Sequence, residues 1–217
     1  MNWVIHGFQR AVNGTISKFN VSAAGKGGLQ GTGAFCINDG GEIAGYYVDS
    51  NNVAHGYNRS STGTITTFNA AGSGTGAGQG TGGNFPNTLN FYIGINTAGT
   101  ITGYYVDGRN VYHSFQRTSG GALAEFSAPG AGTAANQGTL AAGINTGGTI
   151  AGYYIDSSGV GHGFTRTSGG TITGFKAPGA GTAVGQGTAG YAINTAGTIA
   201  GTYVDAGHVF HGYFRTP

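Results

Sequence analysis

Five histidines, His6, His55, His113, His162 and His211, stand 49, 58, 49 and 49 residues apart, and each carries the same text around it. In its third copy the unit reads Ile144-Asn145, then Thr149-Ile150-Ala151-Gly152-Tyr153-Tyr154-Ile155-Asp156, His162-Gly163-Phe164-Thr165-Arg166, Thr171-Ile172-Thr173-Gly174-Phe175, and a glycine-rich link. A repeat of about 49 residues is one supersecondary motif, which buries its apolar side only by stacking on its neighbours. The units run along the whole chain, so residues 1–217 read as a single repeat domain.

Within the unit, short runs rich in Ile, Val, Tyr, Phe and Thr alternate with Gly, Asn, Asp and Ser, and none has a helical period. Four strands result: a (142–145), b (149–156), c (160–166) and d (171–175). The stretches between them are of hairpin length and supply glycine for positive φ. Strand b puts Ile150, Gly152, Tyr154 and Asp156 on one face and Ala151, Tyr153 and Ile155 on the other. Apolar residues on both faces mean a sheet covered on both sides. The expected fold is all-β, a β-propeller of about four four-stranded antiparallel blades, with five blades or an open stack as alternatives. Type c occurs five times and the others four times, so the two ends duplicate each other. A surplus strand suits a homo-oligomer formed through terminal strands.

Composition excludes several classes. Only 7% of residues are charged, the net charge is +2, and no stretch clusters Lys or Arg into a phosphate-binding stripe, so nucleic acid is not an expected partner. No run approaches the roughly 20 apolar residues of a membrane span. The chain opens inside a repeat, with Trp3-Val4-Ile5-His6 and no signal peptide. Cys36 is the single cysteine, and its equivalents Gly94, Gly143 and Ala192 mark a position that takes a small side chain.

Most of the charge belongs to the repeat. Asp49, Asp107, Asp156 and Asp205 each stand six residues before a frame histidine, and Arg10, Arg59, Arg117, Arg166 and Arg215 each stand four after one. Equivalent Asp, His and Arg in every unit serve a shared hydrogen-bonded architecture more naturally than one active site. A ring of equivalent polar sites is the functional alternative. The tyrosine pairs Tyr46-Tyr47, Tyr104-Tyr105 and Tyr153-Tyr154 suit packing between blades or stacking under sugar rings.

The long links carry the candidate ligand-binding residues. Gln30, Gln79, Gln137 and Gln186, each followed by Gly-Thr, are repeated amide donors and acceptors on an end face, unless they satisfy the loops' own backbone. Nine extra residues after the second unit bring Asn84, Phe85 and Tyr92 and break the symmetry, a natural place for one distinctive site.

No metal or cofactor is expected. Histidines on different blades lie about 10 Å apart or more, too far to share a zinc. His208 and His211, read as members of one strand, point to opposite faces. The string Gly78-Gln79-Gly80-Thr81-Gly82-Gly83 matches a dinucleotide fingerprint but lacks a following helix. Nucleophile elbow, Walker loop and EF-hand loop are all missing, and a paired-carboxylate hydrolase is hard to build from so few acids.

Gly143-Ile144-Asn145 with Gly148-Thr149-Ile150-Ala151-Gly152-Tyr153, followed by His162-Gly163-Phe164, resembles the repeats of the bacterial HAF family of extracellular repeat proteins. That family is named for a His-Ala-Phe signature, where this chain has Gly or Ser in the middle and Phe or Tyr third. The resemblance implies a bacterial, exported, propeller-like protein, extracellular or at the cell surface. The expected function is a non-enzymatic binding or adhesion module, lectin-like, with a glycan or polysaccharide as partner. A self-assembling scaffold is the first alternative and a polysaccharide lyase the second.

Overall fold

The computed structural model describes residues 3–82 and 92–217, which group into two compact units: residues 1–91 with 105–108, and residues 92–104 with 109–217. Asn84 and Phe85 lie outside the described residues. All regular structure among the described residues is β, and no helix occurs.

The first unit holds β1 (Gly7–Arg10), β2 (Ile16–Phe19), β3 (Gly31–Ile37), β4 (Ile43–Val48), β5 (Ala54–Arg59), β6 (Ile65–Phe68) and β7 (Gly80–Thr81). Strands β3 to β6 pair antiparallel in chain order. β1 and β2 make a separate hairpin, tied to β3 by the parallel bridge Ile5↔Gly31.

The second unit holds β8 (Ile93–Ile95), β9 (Ile101–Val106, its last two residues in the first unit), β10 (Tyr112–Arg117), β11 (Leu123–Phe126), β12 (Gly138–Ile144), β13 (Ile150–Ile155), β14 (Gly161–Arg166), β15 (Ile172–Phe175), β16 (Gly187–Ile193), β17 (Ile199–Val204) and β18 (Phe210–Arg215). β8 to β11 and β12 to β15 are four-stranded antiparallel sheets in chain order, and β16 to β18 form a three-stranded one. Among the described residues no pairing closes the strands into a ring.

Strands b, c and d fall where their apolar runs place them, but strand a starts earlier than its composition suggests. β12 begins at Gly138, inside Gln137-Gly138-Thr139, where Gly138 pairs antiparallel with Ile155 and parallel with Tyr112 of the preceding sheet. Each such strand therefore stitches one sheet to the next, and the stitch needs glycine. In β16 the equivalent Gly187 has φ 115°, and a Cβ there would lie 2.1 Å from the Gly161 carbonyl oxygen.

Sheets stack through apolar faces that meet across the repeat. Ala141, Ile144, Ile150 and Phe164 are buried together, with Phe126 of the preceding repeat against them. Gly143 occupies the position of Cys36, and a Cβ on it would stand 2.9 Å from the Tyr191 carbonyl oxygen. Only small residues fit where neighbouring first strands approach this closely.

Candidate functional site

The hairpin between strands b and c is built by its aspartate. Asp156 Oδ1 accepts the Ser158 and Val160 amides at 2.8 and 3.0 Å, and Oδ2 meets His162 Nε2 at 2.8 Å. Asp49 and Asp205 repeat this with His55 at 3.3 Å and His211 at 2.8 Å. For Asp49 and Asp156, desolvation pushes the carboxyl upward, but the two backbone amides and the histidine outweigh it and hold the group below the usual carboxylate range. Asp205 is held low first by the Val209 amide and then by His211. The histidine rings stack on tyrosine, His55 on Tyr47, His162 on Tyr154 and His211 on Tyr203, at centroid distances of 4.7 to 4.8 Å. His6 and His55 also turn Nδ1 to Asn20 and Asn69 at 2.9 Å, and His113 faces Ser127 at 3.4 Å. Asp107 follows β9.

His208 is not in a strand with His211. It occupies the turn, with φ 61°, where the other repeats have Asn52, Asn110 and Gly159, and its Nε2 lies 3.4 Å from Gln186 Nε2. The aspartate-led turn runs longer than strand propensity suggests, because Asp205 Oδ1 captures the amides of Gly207 and Val209.

The arginines join repeats. Arg59 sits over the Phe19 ring, Arg166 over Phe126 and Arg215 over Phe175, 4.6 to 4.9 Å from the centroids. Arg59 and Arg166 also donate to Gln9 and Gln116 Oε1 of the preceding repeat, at 3.0 and 2.7 Å. Arg117 is buried and donates to the Thr118 carbonyl at 3.4 Å, while Arg10 is exposed on β1.

The Gln-Gly-Thr loops use their polar groups internally. Oε1 of Gln30, Gln79, Gln137 and Gln186 accepts the amide three residues earlier, at 2.8 to 3.1 Å. Nε2 of Gln30, Gln137 and Gln186 donates to the carbonyls of Ser50, Ser157 and Ala206. Thr32, Thr81, Thr139 and Thr188 take the Val21, Ala70, Ala128 and Ala177 amides. Binding at these loops would therefore fall to main-chain groups or to residues beside them.

One such place is a pocket in the second unit, between β12–β15 and β16–β18. It has a volume of about 150 Å³ and lies beside Gln186, with Tyr153, Tyr191, Thr202 and Phe210 around it. The pocket exists because three positions shrink from one repeat to the next. Gly161, Ala189 and Thr202 stand where the previous repeat has Tyr112, Leu140 and Tyr153. Tyr191 is the bulged residue of β16, opposite the register shift between Gly190 and Ala192, which turns its ring toward the pocket. Thr202 Oγ1 donates to the Tyr191 hydroxyl at 3.1 Å.

Tyr92 joins this group. Its ring stacks on Tyr191 at 5.2 Å and meets Tyr153 edge-on at 5.8 Å. Burial pushes the Tyr92 and Tyr153 phenols far up, and neighbouring tyrosines add to it. The pocket is lined by no Asp, Glu, Lys, Arg or His. Among the described residues no three His, Cys, Asp or Glu side chains cluster as metal ligands. Of the pocket residues, sequence reasoning singled out Gln186 and the Tyr153 of a tyrosine pair, but not Tyr191 or Phe210. Their signal was departure from the repeat, with Tyr191 standing where the previous repeat has Ala142 and Phe210 where it has Gly161.

No protein-family model and no curated protein sequence matches the chain. Among solved structures it is similar to a triple arginine-to-alanine mutant of AofleA from Arthrobotrys oligospora, at 15% identity and TM-score 0.50, over 93% of this chain and 58% of that one. Two further similar structures are of the Aleuria aurantia lectin. The first is described as having a six-bladed β-propeller fold and a novel fucose recognition mode (15% identity, TM-score 0.33, 83% and 62% covered). The second is an asparagine-to-glutamine mutant in complex with Fucalpha1-6GlcNAc (13%, 0.33, 91% and 65%). The chain thus spans 58 to 65% of the length of these proteins, and what it shares with AofleA is the fold.

Proposed function

We propose that the chain is a non-enzymatic, lectin-like binding module of β-propeller type, and that the pocket between β12–β15 and β16–β18 takes one neutral sugar ring. The observation that carries this reading is a local loss of bulk from one repeat to the next, with Thr202 standing where every other repeat has tyrosine (Tyr46, Tyr104 and Tyr153). Gly161, Ala189 and Thr202 open a space that Tyr112, Leu140 and Tyr153 occupy in the preceding repeat, and aromatic rings surround it. Tyr153, Tyr191 and Phe210 offer faces on which the apolar side of a pyranose stacks, and Thr202 and the Tyr191 hydroxyl offer partners for its hydroxyls. A lining without ionisable carboxylates or amines favours a neutral ligand, and a Tyr153 phenol raised by burial is a poor proton acceptor near neutral pH. The HAF-type resemblance adds a bacterial, extracellular or cell-surface setting to this reading.

Titration calorimetry against a panel of neutral mono- and disaccharides that includes Fucalpha1-6GlcNAc tests it. One site per chain is expected, weakened at least tenfold by Tyr191→Ala. Thr202→Tyr, which restores the consensus ring, should abolish binding without lowering the melting temperature. Several equivalent sites that survive Thr202→Tyr would overturn the pocket assignment and return attention to the Gln-Gly-Thr loops. A repeat scaffold without small ligands is favoured by the internal engagement of the repeated Gln, Asp and Arg side chains, and absence of binding across the panel would select it.

A further inference from the structure

Three phenols and a threonine form one run of hydroxyls that reaches the pocket between β12–β15 and β16–β18. Tyr92 lies face to face with Tyr191 at 5.2 Å and edge-on to Tyr153 at 5.8 Å, and its hydroxyl is hydrogen-bonded to both. Thr202 Oγ1 donates to the Tyr191 hydroxyl at 3.1 Å. Tyr153, Tyr191 and Thr202 line the pocket, whereas Tyr92 is not among its lining residues.

The direction in which these groups share hydrogens follows from their titration. Burial is the first cause that raises the Tyr92 and Tyr153 phenols, and the hydrogen bonds then act in opposite senses. The bond to Tyr92 raises Tyr153 further; at Tyr92 the bond to Tyr191 raises and the bond to Tyr153 lowers. A phenol that gives its hydrogen is held neutral, and one that receives a hydrogen is helped to ionise. Tyr153 therefore donates to Tyr92, and Tyr92 donates to Tyr191.

The run has four hydroxyl hydrogens and three bonds, so one hydrogen is left over. It belongs to Tyr191, which receives from both Tyr92 and Thr202. Among the described residues no group accepts it. Thr202 Oγ1, having given its own hydrogen away, keeps an acceptor lone pair. Both residues are only half buried, so the pocket presents a donor and an acceptor 3.1 Å apart. The preceding repeat has Ala142 and Tyr153 at these two positions and cannot make the pair.

The spacing selects what can answer it. A single ligand hydroxyl that met both groups would close a triangle of strongly bent bonds. Two neighbouring hydroxyls meet them with straighter ones, because each then faces one protein oxygen.

We propose, resting on the reading of this pocket as a sugar site, that its ligand is the vicinal diol of a pyranose, with one hydroxyl accepting from Tyr191 and its neighbour donating to Thr202 Oγ1. Tyr92 is the positioning residue that fixes this polarity from outside the pocket.

Calorimetry with the three monodeoxy isomers of methyl β-xylopyranoside tests this, a ring without an exocyclic carbon being suited to a space of about 150 Å³. The 2-deoxy and 4-deoxy isomers each keep two adjacent hydroxyls, and the 3-deoxy isomer keeps two that are not adjacent. The better of the first two should bind at least about tenfold more tightly than the third, which leaves one protein group unpaired. Tyr92→Phe keeps the stacked ring but cannot donate to Tyr191. It should weaken the favoured isomer by about fivefold and the 3-deoxy isomer by less than about twofold, so that discrimination shrinks. A merely structural loss would weaken both alike and overturn the role of Tyr92. Tyr191→Phe, at a half-buried ring, removes the donor itself and should collapse the discrimination in the same way. If the isomers bind alike, or none binds while other neutral sugars do, the diol assignment falls and the sugar site stands. If no sugar binds, both fall.

Discussion

Single residues in this protein are constrained mainly by backbone geometry at the loops. The residue before each Gln-Gly-Thr is left-handed: Gly78 at φ 81°, Asn136 at 64° and Gly185 at 77°, but Leu29 at 63°. Leucine is strained there by about 1–2 kcal/mol, whereas asparagine tolerates the conformation. Leu29→Asn should stabilise the protein by about 1 kcal/mol, since the side chain is half exposed and little packing is lost. An upward shift of the urea midpoint at constant slope would show it. Gly187→Ala should act oppositely and more strongly, at about 3 kcal/mol or more, because it combines positive φ with overlap on the Gly161 carbonyl. A variant that unfolds at the wild-type urea concentration would contradict the stitching role assigned to that glycine.

At the scale of the element, the turns after β8 and β12 link one repeat to the next through asparagine. Asn145 Oδ1 accepts the Thr149 amide at 2.9 Å, and its Nδ2 donates to the Asn194 carbonyl at 3.2 Å. Asn96 does the same toward Asn145. Asn145→Asp keeps the acceptor, removes the donor and buries a charge beside a carbonyl. A loss of about 2–3 kcal/mol is expected, read as a fall of roughly 5–10 °C in melting temperature for a chain of this size. Asn145→Ser retains a short side chain for the turn and should lose less. Equal losses in the two variants would show that the buried charge of Asn145→Asp adds nothing to the loss of the amide donor that both share.

For the whole molecule, acid is the informative perturbation. Asp49, Asp156 and Asp205 all have folded carboxyls held below the ordinary range. The unfolded chain therefore binds protons at higher pH than the folded one, at about pH 4. The stability these groups contribute is present above that value and is lost as pH falls through their lower folded values. Melting temperature should hold steady from neutral pH to about 5 and drop below about 4. Asp156→Asn should be less stable than wild type at neutral pH, and the gap should narrow toward pH 3. A constant gap across that range would remove Asp156 from the acid response.

Periodicity determined most of the local structure. The β class, the b, c and d strands, the hairpin turns and the small residue at Cys36, Gly94, Gly143 and Ala192 were legible because each follows from spacing that a strand or turn imposes on neighbouring side chains. Asp156 with His162 was legible as a recurring pair, since six residues around a hairpin return the chain beside itself. What the sequence could not determine was how equivalent polar groups are spent between repeats. Gln186 reads from the sequence as a loop brace ahead of a ligand donor, and only the positions of the Ala183 amide and the Ala206 carbonyl show which main-chain groups it braces. Strand a was misplaced for the same reason: Gly138 has no strand propensity, and its pairing with Tyr112 is a tertiary contact. The pocket at Tyr153, Tyr191, Thr202 and Phe210 is likewise a product of packing, because a missing ring becomes a cavity only where two sheets are held a fixed distance apart.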